Sequence, residues 1–326
     1  MLFGGISGSA VADISALGSI LVPVMKEKGY DADYAVNVTV TSSIAGIIIP
    51  PSHNMIIYAI AAGGSISISK LFLAGVIPGI VMCLCLAVAA YLVAVRRGYK
   101  AEKFPGMHGL MLTFFGAIPG LFTAVIIVGG VLSGIFTVTE SGAFGAIYAF
   151  LVTLIVYRSL TLHSFRLAVT QAVKTTSMVM ILIACAGAFA YMLTFYRVPA
   201  QTVELLTGIT DNPILILLMI NVALLVLGMI MDMAALILIC TPIFLPVAQS
   251  LGIDPLQFGM ILLVNLGLGL CTPPVGSCLF VGCAVGKLPM EKAVRTIWPF
   301  YLAIFVALML ITFIPAISMT LPNLIS

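Results

Sequence analysis

Charge is scarce in this sequence. Of 326 residues, 8% are Asp, Glu, Lys or Arg and 62% are apolar; soluble domains carry about 25% charged residues. So few charges cannot keep a surface wet, which excludes a soluble enzyme, a disordered chain and a nucleic-acid-binding domain. Paired-cysteine motifs are missing too. Cys83, Cys85, Cys185, Cys240, Cys271, Cys278 and Cys283 all lie in apolar tracts and none forms C-x-x-C, so they read as small core or lipid-facing residues. No basic segment or cleavage pattern follows Met1, so no signal peptide is read and insertion rests on the helices. The sequence also lacks the strict alternation of a membrane β-barrel. Ser52 beside His53 does not make a hydrolase, because adjacent residues cannot orient as a nucleophile–base pair and no third partner is indicated.

Long apolar runs are abundant. Segments 71–95, 110–136, 143–157, 176–196 and 296–317 approach or exceed the length of a bilayer-spanning helix. Tracts 33–62 and 255–285 are apolar but interrupted by Gly and Pro-Pro, and tracts 1–25 and 212–247 carry Gly and Asp in mid-segment. The expected fold is all-α and polytopic.

Lys and Arg collect on the cytoplasmic side of membrane proteins. Arg96, Arg97, Lys100 and Lys103 follow a clear span and are placed inside. Alternation then puts Lys26, Lys28, Arg158, Arg166, Lys174, Lys287, Lys292 and Arg295 inside as well, with Lys70 and Arg197 outside, 12 against 2. The count works only if tracts 1–25 and 212–247 each enter and leave on one face, the first from inside and the second from outside. Two re-entrant hairpins of opposite orientation are therefore expected. Their non-helical tips must be buried in protein or water.

The halves repeat. Pro23 and Pro246, Gly29 and Gly252, Gly46 and Gly269, and Pro50-Pro51 and Pro273-Pro274 share one offset of 223; Asp13 and Asp232 are paired at 219. Inverted repeats with broken helices are a mark of secondary transporters, whose sites lie at the paired breaks near the midplane. Pro50 and Pro51 remove two amide donors, so nearby carbonyls lose helical partners and become ligands suited to a hard cation. The second break offers the carbonyls of Gly269, Leu270, Cys271 and Thr272 and the Thr272 hydroxyl. The positive end of the helix starting near residue 9 suits a carboxylate. Asp13 and Asp232 are read first as caps at the hairpin tips, with direct ligation or proton coupling as the other reading. Glu140 is likewise read as a cap, and Asp211 as the start of a helix. His53-Asn54 is either a substrate-contacting or a satisfied core pair. Segments 197–211 and 160–171 are expected to be lateral amphipathic helices.

The stretches ISGSAVAD, SSIAGIIIPPS, ISISKLFLAGVIPG, GIFTVTESGAFGAIYA, GMIMDMAALILICTPIFLPVAQSLGIDP and NLGLGLCTPPVG, in this order, resemble the large membrane subunit of tripartite ATP-independent periplasmic (TRAP) transporters. The resemblance implies a Na⁺-coupled importer of organic acids in the bacterial inner membrane. Its partners would be a small membrane subunit and a periplasmic substrate-binding protein, and it would work as an elevator. It implies one Na⁺ site at Ser7, Ser9, Gly46, Ile49 and Pro51, and by pseudo-symmetry a second at Asp232, Gly269, Thr272 and Pro274. Substrate would lie near Ser9, Ser52, Asn54 and Ser277. The domains expected are transport segments 1–62 and 212–285, a scaffold with connecting spans at 63–211, and a C-terminal scaffold span at 286–326 whose end faces the periplasm. A standalone Na⁺/anion symporter and an ion channel are the alternatives. The family has spans before the first hairpin, so a chain beginning inside that hairpin reads as a fragment, a misassigned start or a degenerate copy. His53-Asn54 stands where family members often carry apolar residues or Pro.

Overall fold

A computed structural model describes residues 8–64, 66–99, 106–210 and 212–324. Among them the chain is helical, without a strand. In chain order the helices are α1 (Ala10–Glu27), α2 (Ala32–Ser43), α3 (Ala45–Ile48), α4 (His53–Ala61), α5 (Ile68–Arg96), α6 (Gly106–Leu132) and α7 (Val138–Leu151), which ends in a π turn (Val152–Val156). There follow α8 (Leu162–Phe195), α9 (Val198–Ile209), α10 (Pro213–Gly228), α11 (Met233–Ser250), α12 (Pro255–Leu270), α13 (Ser277–Gly286), α14 (Met290–Thr296), α15 (Trp298–Phe313) and α16 (Pro315–Leu324). Among the described residues, five helices are long and apolar enough to cross a membrane, or up to seven if two bent pairs each count as one span.

The described residues form two compact units. One holds 8–99 and 184–324, the other 106–183. At the centre of the first is α12, buried from Leu256 to Leu270. Apolar burial drives little association where the solvent is lipid, so close packing and interhelical hydrogen bonds hold such a core. Asn265 Nδ2 donates to the Asn221 carbonyl and Oδ1 at 2.9 and 2.8 Å, and Gln257 Nε2 donates to the Thr312 carbonyl at 3.1 Å. Helices α15 and α16 pack on α5.

The repeat shows in the packing. Gly29 and Gly252 both adopt positive φ, 86° and 78°, as the residue that ends a helix and turns the chain. Helix α1 packs on α13, and its counterpart α11 packs on α4. Lys26 Nζ donates to the Gly286 carbonyl at 2.9 Å, and Asn37 Nδ2 to the Ala293 carbonyl at 3.0 Å. One end of the unit thus gathers the start of α2 and the finish of α13. At the other end, the Tyr58 hydroxyl near the finish of α4 donates to the carbonyl of Pro255, which starts α12, at 2.6 Å. The two broken helices therefore run antiparallel. Lys26 and Lys287, both assigned inside, share the first end. Arg97 is tied to the start of α2, with its guanidinium on Asp31 at 2.9 Å and in a fork on Asp33 at 2.9 and 2.8 Å.

One of the two lateral helices changes. Segment 160–171 is not a separate element: residues 162–171 are the first turns of the 34-residue α8. Nothing between Gln171 and Thr176 breaks a helix, so the polar start and the apolar run join. Segment 197–211 does form its own helix, α9, set off by Arg197 in a left-handed conformation.

In the second unit α6 packs on α7. The Tyr148 hydroxyl donates to the Pro119 carbonyl at 3.1 Å and that of Tyr157 to Gly116 at 3.3 Å. Glu140 caps as expected, within a reciprocal capping box with Thr137. Ile135, Ile155 and Leu167 of this unit are exposed, a surface that suits lipid or another apolar protein face.

Candidate functional site

Both apolar tracts with Pro-Pro break where the prolines fall. In the first, α3 stops at Ile48, Ile49 turns extended, and α4 restarts at His53 with a 49° bend. In the second, α12 stops at Leu270 and α13 restarts at Ser277. Both Pro-Pro bonds are cis. The cause of the breaks is chemical: residues 50, 51, 273 and 274 have no N–H, so the carbonyls four residues back lose their helical donors.

Those carbonyls meet different fates. Ile47 accepts from the buried Ser52 hydroxyl. Gly269 accepts from the Thr272 amide at 2.9 Å, and Cys271 accepts from the Tyr301 hydroxyl. Leu270 is the counterpart of Ile47, with proline at both the third and fourth residues beyond it. Val275 stands where the first copy has Ser52, and its side chain cannot donate.

The breaks and the helix starts meet at one small cavity of about 70 Å³. The first copy contributes Ser9, Ala10, Val11, Ile47, His53 and Asn54; the second contributes Asp232, Met233, Ala234, Leu270 and Ser277. Two helices begin there. Ser9 caps α1, its hydroxyl accepting from the Ala12 amide at 3.5 Å, and Asp232 caps α11, its carboxylate accepting from the Ala234 amide at 3.0 Å. Early helical N–H groups have no intrahelical acceptor and carry partial positive charge, so the cavity suits an anion. A larger groove of about 520 Å³ beside Trp298 and Phe305 has mainly apolar lining and lacks this chemistry.

Ser9 is the N-cap of α1. Asp13 lies buried in the first turn of α1, and its amide donates to the Ser9 carbonyl at 3.0 Å. The true counterpart of Asp232 is therefore Ser9, at the same offset of 223 as the other landmarks. Applying that offset without the four-residue gap would have found it.

Of the proposed substrate contacts, Ser9, Asn54 and Ser277 line the cavity. Ser52 does not, since its hydroxyl is spent on Ile47. Asn54 is buried and donates to the Gly8 carbonyl at 3.3 Å. Gly8, at φ 63°, packs so tightly on the first break that a Cβ would lie 3.1 Å from the Pro51 carbonyl oxygen. The Ser277 Oγ is buried without a hydrogen-bond partner among the described residues. Of the proposed cation ligands, Ser9 and Asp232 reach the cavity. Gly46 is buried within α3, Ile49 packs on Gly79, and Pro51 lies against Gly8. Gly269 is pressed on Gly228, while Thr272 faces the apolar groove and Pro274 is exposed. Ser7 and Asp211 lie outside the described residues. His53, one half of a pair with two open readings, lines the cavity within electrostatic reach of Asp232.

The family model described as "Tripartite ATP-independent periplasmic transporter, DctM component" matches residues 1–317. The chain is 42% identical to "Uncharacterized protein YgiK" of Salmonella typhimurium over 99% of its length and 74% of that protein. It is 40% identical to the C4-dicarboxylate TRAP transporter large permease protein DctM of Pseudomonas aeruginosa, over 99% of this chain and 75% of that one. It is 38% identical to the 2,3-diketo-L-gulonate TRAP transporter large permease protein YiaN of Escherichia coli, over 97% and 74%.

Proposed function

The chain belongs to the DctM component family of tripartite ATP-independent periplasmic transporters, and from that premise we propose that it is the permease of a Na⁺-coupled organic-acid importer in the bacterial inner membrane. The observation that carries this reading is the cavity where two antiparallel copies bring two helix starts and two helix breaks together. An organic acid presents its carboxylate to the amide ends of α1 and α11. Sodium is held by backbone oxygens freed at the breaks, with Ser7, Ser9, Gly46, Ile49 and Pro51 at one and Asp232, Gly269, Thr272 and Pro274 at the other. The donor chemistry fits a hard cation: carbonyls, a hydroxyl and a carboxylate. Thr272 donates its proton to the Leu268 carbonyl at 2.7 Å, which leaves its oxygen lone pairs available.

Helix α10 has 16 residues, about 24 Å at 1.5 Å each, short of the roughly 30 Å hydrocarbon core. This supports the re-entrant reading of the second hairpin. A cavity of about 70 Å³ has room for about two water-sized groups at about 30 Å³ each, so loading an acid requires it to widen. Transport proceeds as an elevator, in which the body holding both breaks moves the closed site across the membrane. Segments 1–62 and 212–285 are the moving part, and segments 63–211 and 286–326 are the scaffold. A periplasmic binding protein delivers the acid, a small membrane subunit completes the permease, and the C-terminus faces the periplasm.

The test is uptake of radiolabelled acids into proteoliposomes holding the permease and its small subunit. Uptake is expected only with an inward Na⁺ gradient and the binding protein outside. Uptake with the gradient alone would indicate a standalone symporter, and uncoupled current a channel. Thr272→Val, close in shape but without the oxygen, is expected to raise half-saturating Na⁺ on the order of tenfold, about 1.4 kcal/mol. Unchanged Na⁺ activation would remove Thr272 from the site.

A further inference from the structure

We propose that two apolar grooves flanking Leu302 of α15 bind one diacyl phospholipid with an anionic headgroup, and that Arg96 and Arg295 hold that headgroup. The first groove, about 410 Å³, runs between α5 and α15. Its floor is Ala89 and Ala303, both buried. Its walls are Leu84, Val88 and Leu92 on one side and Leu302 and Val306 on the other, all exposed. The second groove, about 520 Å³, lies across Leu302, between Trp298 and Phe305 of α15 and Leu225, Met229 and Leu268. Volumes of about 410 and 520 Å³ hold roughly 14 and 17 methylene-sized groups if each fills about the 30 Å³ of a water. That is one acyl chain in each groove.

The charge sits at one end of both grooves. Tyr34 marks that end: its hydroxyl donates to the Ala90 carbonyl of α5 at 3.0 Å, and its ring lies 6.3 Å from that of Phe300 in the first turn of α15. The finish of α5 therefore meets the start of α15, at the end assigned inside. Leu84, Val88 and Leu92 follow one another at four-residue steps along α5, and Arg96 takes the next step on the same stripe. Val294 lines the second groove, and Arg295 follows it in α14. Arg96 and Arg295 are exposed, and among the described residues neither makes an ion pair. Lys292 is exposed beside them, and Glu291 is the one acidic residue of α14. Basic side chains at a helix end reach into the headgroup layer and attract anionic lipid there. Trp298, 65% exposed, stands where indole rings anchor at the same level.

A phospholipid fits these grooves better than a helix of another protein does. Helices in membranes close on one another through small residues. Here Trp298, Leu302 and Phe305 stand exposed along α15, with Leu302 lining both grooves as the ridge between them. Two flexible chains can lie one on each side of such a ridge; a single rigid helix cannot enter both. A zwitterionic headgroup brings its own cation to two unpaired guanidinium groups, and an anionic one does not.

Trp298 is the only tryptophan in the sequence, so its fluorescence reports on the second groove. The experiment places the full chain in phosphatidylcholine nanodiscs with a rising fraction of phosphatidylglycerol brominated near the carboxyl end of its chains, and follows Trp298 quenching. Brominated phosphatidylcholine at the same fractions is the comparison. Half-maximal quenching is expected at an on the order of tenfold lower fraction of the phosphatidylglycerol. Arg96→Gln with Arg295→Gln should bring the two lipids within about threefold of each other. Arg96→Lys with Arg295→Lys, which keeps both charges, should retain most of the preference. Equal quenching of the native chain by the two lipids overturns the proposal, as does a preference that survives the double glutamine variant. Quenching by neither lipid means that a protein face covers α15, and overturns it too.

Discussion

Substituting Gly269 by alanine tests the closest backbone approach in the second half. A Cβ there would sit 2.6 Å from the Gly228 carbonyl carbon, 2.7 Å from its Cα and 3.0 Å from its oxygen. Carbon pairs are comfortable at about 3.5–4.0 Å, so α10 and α12 would have to part locally by about 1 Å. No flexible side chain can absorb the displacement, because all three atoms are backbone. Overpacking of this kind costs about 1–3 kcal/mol. At about 2–4 °C per kcal/mol, Gly269→Ala should lower the melting temperature by roughly 2–12 °C.

The same contact seen from its other side gives a different number. A Cβ on Gly228 meets its nearest atom, the Gly269 Cα, at 3.3 Å and the next two at 3.5 Å, which a shift of a few tenths of an ångström relieves. Gly228→Ala should therefore cost less than about 1 kcal/mol. Differential scanning fluorimetry of both variants, without sodium or acid, keeps ligand binding out of the comparison. Equal losses in the two variants, or no loss in Gly269→Ala, would refute the packing geometry.

Ser9→Ala removes the α1 cap and should cost about 1 kcal/mol, whereas Ser9→Asp, which makes the first copy resemble the second, should retain thermal stability. Tyr58→Phe removes the part-buried hydrogen bond to the Pro255 carbonyl and should cost about 0.5–1.5 kcal/mol in the same melting assay. Arg97→Lys keeps the charge but loses the fork on Asp33. A loss of about 0.5–1 kcal/mol is expected, smaller at high salt, because the pair is partly exposed; a salt-independent loss would mean that the stacking of the Arg97 guanidinium over the Tyr34 ring, 6.0 Å from its centroid, dominates.

Much of this protein was legible because the bilayer leaves few solutions. Apolar runs in a charge-poor sequence must be helices, Pro-Pro must break them, and a constant offset of 223 between landmarks ties one half to the other. The capping box at Thr137 and Glu140 was readable because its signal lies within three residues. Harder to see was which groups each element meets. Ser9 is not read as a cap in sequence; only the point where α1 starts shows that it is one. Segment 160–171 looked independent because it is more polar than the apolar run at 176–196, yet without a breaker the helix simply continued.

The cavity is the clearest case of what required tertiary structure. The sequence by itself determined that two helix breaks and two capped helix starts exist, since proline chemistry and capping act over a few residues. It did not determine that Ser52 would be spent on the Ile47 carbonyl, that Tyr301 would take the Cys271 carbonyl, or that His53 and Asp232 would line one cavity. Residues 53 and 232 are 179 positions apart, and they meet because α1 packs on α13 and α11 on α4 in opposite directions. Local rules decide where a backbone breaks; packing between distant helices decides which of the freed oxygens are already satisfied and which are left for a ligand.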